Sequence, residues 1–259
     1  MKNNLVKFDP KERYLDLMAK ILVNSIYEDT SIHPGPDNCY YAENRAEGRD
    51  WPLYAHTMVG AARLKNLREL VKRTLVEKIP GDYIETGVWR GGCCILMKAV
   101  ISAYSDPIRK VYVADSFEGL PPPKPALFPA DTGDNLHQYG ELSISLEQVK
   151  SNFAKYDLLD SRVIFVKGFF DVTLPLLQAD SFALLRLDGD MYESTIVALN
   201  NLYPKLSPRG FVIIDDYALE GCRKAVDDYR AQNRIDAKIN TVDWTGIWWQ
   251  KPIKAKKRT

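Results

Sequence analysis

The sequence predicts an α/β fold: a doubly wound, mostly parallel sheet with a C-terminal antiparallel hairpin and an N-terminal helical extension. Three observations carry this prediction. From residue 83 onward, short apolar runs alternate with segments of helical length, the order of right-handed crossover units. The runs themselves do not alternate polar and apolar residues, as expected of strands covered on both faces. The chain then closes on two short strand patterns around "DWTG" (243–246), a tight-turn signal. With 259 residues, 46% of them hydrophobic, the chain can bury the core of one large domain. The expected division is a helical extension and lid over 1–80 and a ligand-binding core over 81–259.

Residues 10–27 read as an amphipathic helix with Leu15, Met18, Ile21 and Leu22 on one stripe. That stripe has no obvious place in a doubly wound core, so the helix is expected to help form a homodimer. "SIHPGPDNCYYAENRAEGRDWP" (31–52) reads as a long loop, and helical periodicity resumes over 53–78. Strands are expected at 83–88, 110–117, 162–170, 181–190 and 210–217. Helices are expected at 91–104, 145–156, 173–178, 192–206 and 221–233. The closing strands fall near 237–243 and 246–251.

The formal charge of +1 gives no field for nucleic acid or an anionic membrane surface, and "KAKKRT" (254–259) reads as a solvated end. No apolar run reaches membrane-spanning length, and the first residues lack a secretory hydrophobic stretch. Cys39, Cys93, Cys94 and Cys222 have no metal-type spacing, so reduced, mostly buried thiols and a cytoplasmic protein are expected. His33, His56 and His137 are scattered and read as surface or loop residues.

Ligands of doubly wound sheets bind at the carboxyl ends of the strands, and acids collect there. "ETGVWRGG" (85–92) is a glycine-rich turn after the first strand. Gly87 would let a ligand approach the backbone, and Glu85 disfavours a phosphate while suiting an ammonium or sulfonium charge. An ordinary tight turn reads equally well. Asp115, ending the second strand, either accepts ribose hydroxyls or caps the following turn. "LLRLDGDMYEST" (184–195) and "FVIIDDY" (211–217) end two strands in Asp188, Asp215 and Asp216. On neighbouring strands these three would converge and need a cation, and an all-oxygen set suits Mg²⁺. The competing reading pairs them with Arg186 or Arg223 or makes them helix caps. Asp190, two residues beyond Asp188, is either a general base facing substrate or the N-cap of the next helix. The loop 116–143 is long enough to be a lid or a partner-docking segment.

"YIETGVWRGG", "VADSFEGLP", "LLRLDGDMYEST" and "GFVIIDDY" together resemble the macrocin O-methyltransferase family, over about residues 50–250. The resemblance implies a Rossmann-like class I methyltransferase using S-adenosylmethionine and Mg²⁺ to methylate a sugar hydroxyl of a small-molecule glycoside. It implies Asp188, Asp215 and Asp216 as metal ligands and Asp190 as the base. It places Glu85, Gly87, Asp115 and Ser116 along the cofactor, with Gly168 and Phe169 beside the adenine. Tyr54, Thr57 and Met58 would close over cofactor and substrate. It also supports a homodimer. The alternatives are a catechol-type methyltransferase, a nicotinamide oxidoreductase, whose pyrophosphate fingerprint the glycine turn fits badly, and a non-catalytic binding protein.

Overall fold

The computed structural model describes residues 9–33 and 39–253; the basic tail and part of the 31–52 segment lie outside them. The elements run α1 (Pro10–Leu22), β1 (Ser31–His33), α2 (Ala42–Glu47), β2 (Trp51–Pro52), α3 (Ala61–Val76), β3 (Asp82–Thr86), α4 (Gly92–Ala103) and β4 (Val111–Asp115). They continue with α5 (Leu146–Ala154), β5 (Val163–Lys167), α6 (Phe170–Thr173), β6 (Phe182–Leu187), α7 (Tyr192–Leu202), β7 (Leu206–Ile214), α8 (Glu220–Gln232), β8 (Asn240–Thr241) and β9 (Ile247–Gln250).

Among the described residues, seven strands form one sheet in the order β5-β4-β3-β6-β7-β9-β8. The pairs β5–β4, β4–β3, β3–β6 and β6–β7 are parallel, while β9 runs antiparallel to both β7 and β8. The expected sheet and its closing hairpin are both present. Chain order reverses about β3, so the carboxyl ends of β3, β4, β6 and β7 surround the crevice where such sheets bind ligands. All of Phe182–Leu187 is buried, which explains why the strands read as unbroken apolar runs.

One hydrophobic cluster lies on the face covered by α1, α3, α4 and α5, with Leu15, Leu67, Ile95 and Phe153 at its heart. The second lies under α7 and α8, with Leu199, Leu202, Val226 and Trp249. The α1 stripe belongs to the first cluster: Leu15, Met18 and Leu22 are buried and α1 packs on α4. The surface expected from the sequence to seek a second copy is therefore covered within the chain, and Ile21 lies only at its border.

The N-terminal segments differ most from expectation. α1 stops at Leu22. Segment 31–52 is not all loop, since β1 and β2 pair antiparallel around α2. Residues 53–60 are not helical, because the buried Asp29 carboxylate accepts the amides of Tyr54 (2.5 Å) and Ala55 (3.0 Å). Those amides are thereby held outside a helix, and α3 begins only after Gly60. No disulfide occurs among the described residues, and Cys93, Cys94 and Cys222 are buried. Among the described residues no helix is long and apolar enough to cross a membrane.

Candidate functional site

A cavity of about 580 Å³ opens at the carboxyl ends of β3, β4, β6 and β7, within the usual range for small-molecule sites. Leu187 is in register with Ile214 across β6 and β7, which sets the residues that follow, Asp188 and Asp215, side by side. Asp216 completes the group, and one carboxylate oxygen from each lies within 4.8 Å of the others. The sequence-expected convergence is present.

So are the arginines of the competing reading. Arg186 is 1% exposed. Its Nη1 donates to Glu85 Oε1 (2.5 Å) and Asp188 Oδ2 (2.7 Å), and its Nη2 donates to Asp215 Oδ1 (2.5 Å). Arg63, from α3, pairs with the other oxygen of Asp215 and with Asp243 (2.9 Å). Arg223 is exposed and takes no part. Burial alone would raise Asp215, but Arg186 and Arg63 outweigh it and hold this carboxylate below its ordinary range. Asp188 and Asp216 are pushed up, first by burial and then by neighbouring carboxylates, Asp216 strongly. Glu85 is pushed up to about 7 by burial. Four carboxylates (Glu85, Asp188, Asp215, Asp216) therefore face two guanidinium groups. The carboxylates outnumber the guanidinium groups, and a hard dication with oxygen ligands would offset the excess negative charge. Each Asp215 oxygen keeps a second lone pair beside its arginine partner. The donor set fits Mg²⁺.

Asp190 lines the cavity next to this group. Its φ of 55° lies in the left-handed region, which Asp tolerates better than most residues. Its amide donates to Asp216 Oδ2 (3.2 Å). Burial, then the charges of Asp188 and Asp134, push its carboxyl up to about 8. The helix-cap alternative for Asp190 does not hold, because another residue caps α7. Asp131, from the 116–143 loop, accepts the amides of Tyr192 (2.6 Å) and Glu193 (3.0 Å).

Glu85, Gly87, Asp115, Ser116, Phe169, Thr57 and Met58 all line the same cavity, whereas Gly168 and Tyr54 do not. Tyr54 is 71% exposed, and Gly168 holds the β5 turn through its amide on Asp115 O (2.9 Å). Several of the lining residues also serve the scaffold. Gly87 has φ 78°, and a Cβ there would lie 1.6 Å from the carbonyl oxygen of Asp188. Its bareness thus lets β3 and β6 close together, in addition to any ligand. Asp115 accepts the amides of Val88 (2.8 Å) and Phe117 (2.7 Å), tying the two strand-end loops together. Ser116 donates to Gly119 O (2.6 Å) and so shapes its own turn. Glu85 also accepts from the Cys94 thiol (2.7 Å).

The sequence reading missed Arg63 and Trp244, which line the cavity, and Asp131, which caps α7 beside it. Arg186 had a visible signal, a lone cation inside an apolar strand run, which demands buried partners. His56 lies in a loop, as expected, but is half-buried and shares a 2.6 Å hydrogen bond with the Tyr156 hydroxyl.

Comparison with known proteins identifies the family. The chain matches the family described as Macrocin-O-methyltransferase (TylF) over residues 11–251. It is 50% identical over 248 residues to the 8-demethyl-8-(2,3-dimethoxy-alpha-L-rhamnosyl)-tetracenomycin-C 4'-O-methyltransferase of Streptomyces olivaceus, covering 93% of this chain and 94% of that protein. It is 43% identical to the mycinamicin III 3''-O-methyltransferase of Micromonospora griseorubida, covering 93% and 96%. The solved structure of the O-methyltransferase NovP superposes with a TM-score of 0.85 at 45% identity, over 94% of this chain and 100% of that one.

Proposed function

The chain belongs to the macrocin-O-methyltransferase family, and on that premise we propose that it moves a methyl group from S-adenosylmethionine to a sugar hydroxyl of a glycosylated natural product, with Mg²⁺ bound by Asp188, Asp215 and Asp216. The observation that carries the reading is the placement of Asp190. It is a cavity-lining carboxylate beside the acidic cluster, freed from helix capping by Asp131 and raised to about 8.

Bound at the cluster, the dication would lower the pKa of a sugar hydroxyl, a poor nucleophile by itself. The protein supplies the rest. Asp190 takes the hydroxyl proton on its carboxylate, and a pKa near the working pH suits that task. Arg186 and Arg63 hold Asp215 in one orientation, as outer partners of metal ligands commonly do. Gly87, Asp115 and Phe169 border the space for the nucleoside, while Glu85 lies where a cationic amino-acid end is tolerated. Methyl transfer needs in-line approach, which the cavity walls supply by positioning.

The test is incubation with labelled S-adenosylmethionine, Mg²⁺ and a panel of glycosides and catechols, with and without EDTA. Label should enter a glycoside, stop with EDTA and resume with excess Mg²⁺. Label entering catechols alone would replace the glycoside reading. Full turnover of metal-free protein in EDTA would overturn the metal reading.

A further inference from the structure

We propose that Asp131 is a positioning residue that locks the 116–143 loop onto the helix following the catalytic turn. Seating of the loop over the cavity and orientation of Asp190 then become one event. The proposal rests on the assignment of Asp190 as the base.

The loop forms one wall of the cavity, contributing Leu120, Pro122, Leu136 and Leu142. Its middle drops into a socket between α7 and α8. Three separate features make that socket. The first is the pair of amides at the start of α7. Met191, the residue flanking the helix, offers them no side-chain cap, and Asp131 satisfies them from 61 residues earlier in the chain. The second is Gly221 on α8, where a Cβ would lie 2.9 Å from Asp131 Oδ1 and 3.1 Å from Tyr192 N, so a bare position is needed to admit the carboxylate. The third is the ring of Phe128, packed against that of Tyr192 with centroids 6.1 Å apart.

Other attachments of the loop sit nearer solvent. Lys124, 44% exposed, reaches Glu193 (2.6 Å), and the indole of Trp89 donates to Glu141 O (2.9 Å). Exposed polar pairs of this kind hold weakly. Asp131 is 2% exposed, and its negative charge meets the positive end of the α7 dipole. Withdrawing it leaves the first amides of α7 without an acceptor. The turn Asp188–Met191 then loses its fixed far end. Asp190 sits in that turn at φ 55°, a conformation that persists only where its surroundings impose it.

The experiment combines hydrogen exchange, read by mass spectrometry, with kinetics of the full chain. In wild-type protein, S-adenosylhomocysteine should slow exchange in 116–143 and at 192–193 together. Asp131→Ala and Gly221→Val attack the socket from opposite sides. Both should uncouple those segments and lower kcat at least tenfold on any acceptor the wild type methylates. S-adenosylhomocysteine affinity should fall by less than kcat does, because only part of its binding free energy goes into seating the loop. Asp131→Ser, which keeps a capping oxygen, should recover much of kcat. The exchange arm reads the coupling in wild-type protein even if a variant fails to fold, and without a known acceptor. Independent protection of the two segments in wild type overturns the proposal. So do variants that melt earlier yet keep wild-type kcat and loop exchange, since Asp131 would then be a simple helix cap.

Discussion

Arg186 on β6 reaches Asp215 just past the end of the neighbouring β7, with Nη2 2.5 Å from Oδ1 and both residues almost fully buried. The same guanidinium also serves Glu85 and Asp188, so one cation balances acids from three strand ends. Arg186→Gln leaves Glu85 and Asp188 without a cation and Asp215 with Arg63 alone. Removing one partner of a buried ion pair typically costs about 3–5 kcal/mol. Urea unfolding should show a loss of that order, and an unchanged midpoint would mean the acids rearrange without it.

Gly87→Ala should be far more damaging than its size suggests. The new Cβ meets backbone, the Asp188 carbonyl, with no side chain able to yield. Gly133→Ala is the control: its φ of 86° is also left-handed, but nothing lies within 4 Å. The control should lose only about 1–2 kcal/mol, the left-handed penalty. Similar melting temperatures for the two variants would contradict the close approach of β3 and β6.

Asp115→Ala removes the acceptor shared by the Val88 and Phe117 amides. Hydrogen bonds to a charged group contribute about 1.5–3 kcal/mol each. Stability should fall, and S-adenosylhomocysteine affinity should fall at least about tenfold, since ~1.4 kcal/mol is one decade. Calorimetry that finds lower stability with unchanged affinity would confine Asp115 to the scaffold.

His56 predicts a pH dependence of stability. Burial, then the charges of Lys155 and Arg90, lower it from 6.5 to about 4. As pH falls, the unfolded chain takes up this proton first. The contribution is therefore complete above about 6.5 and lost progressively down to about 4. His56→Gln should unfold with a shallower stability-versus-pH slope in that window. Parallel slopes for variant and wild type would show that His56 charges freely in the fold.

Much of this was legible in the chain. Strands covered on both faces betrayed themselves as unbroken apolar runs, and Asp188, Asp215 and Asp216 marked their ends. A partner pairing of β6 with β7 was all that convergence required. What escaped was long-range. Arg63 reaches Asp215 across 152 residues, and Asp131 caps a helix across 61. No local pattern encodes either. Residues 53–60 kept a helical rhythm, but the Asp29 carboxylate captured the Tyr54 and Ala55 amides and tertiary contact overrode propensity.

The proposed role of Asp190 as proton acceptor makes single-turnover methyl transfer by Asp190→Asn the decisive measurement. The variant keeps the side-chain shape, and because Asp131 caps α7 it should melt as the wild type does. With S-adenosylmethionine and Mg²⁺ saturating, its transfer rate should drop by about two to four orders of magnitude, the usual range for a lost general base. A properly folded variant that methylates the same glycoside at near wild-type rate would show that the proton leaves by another route.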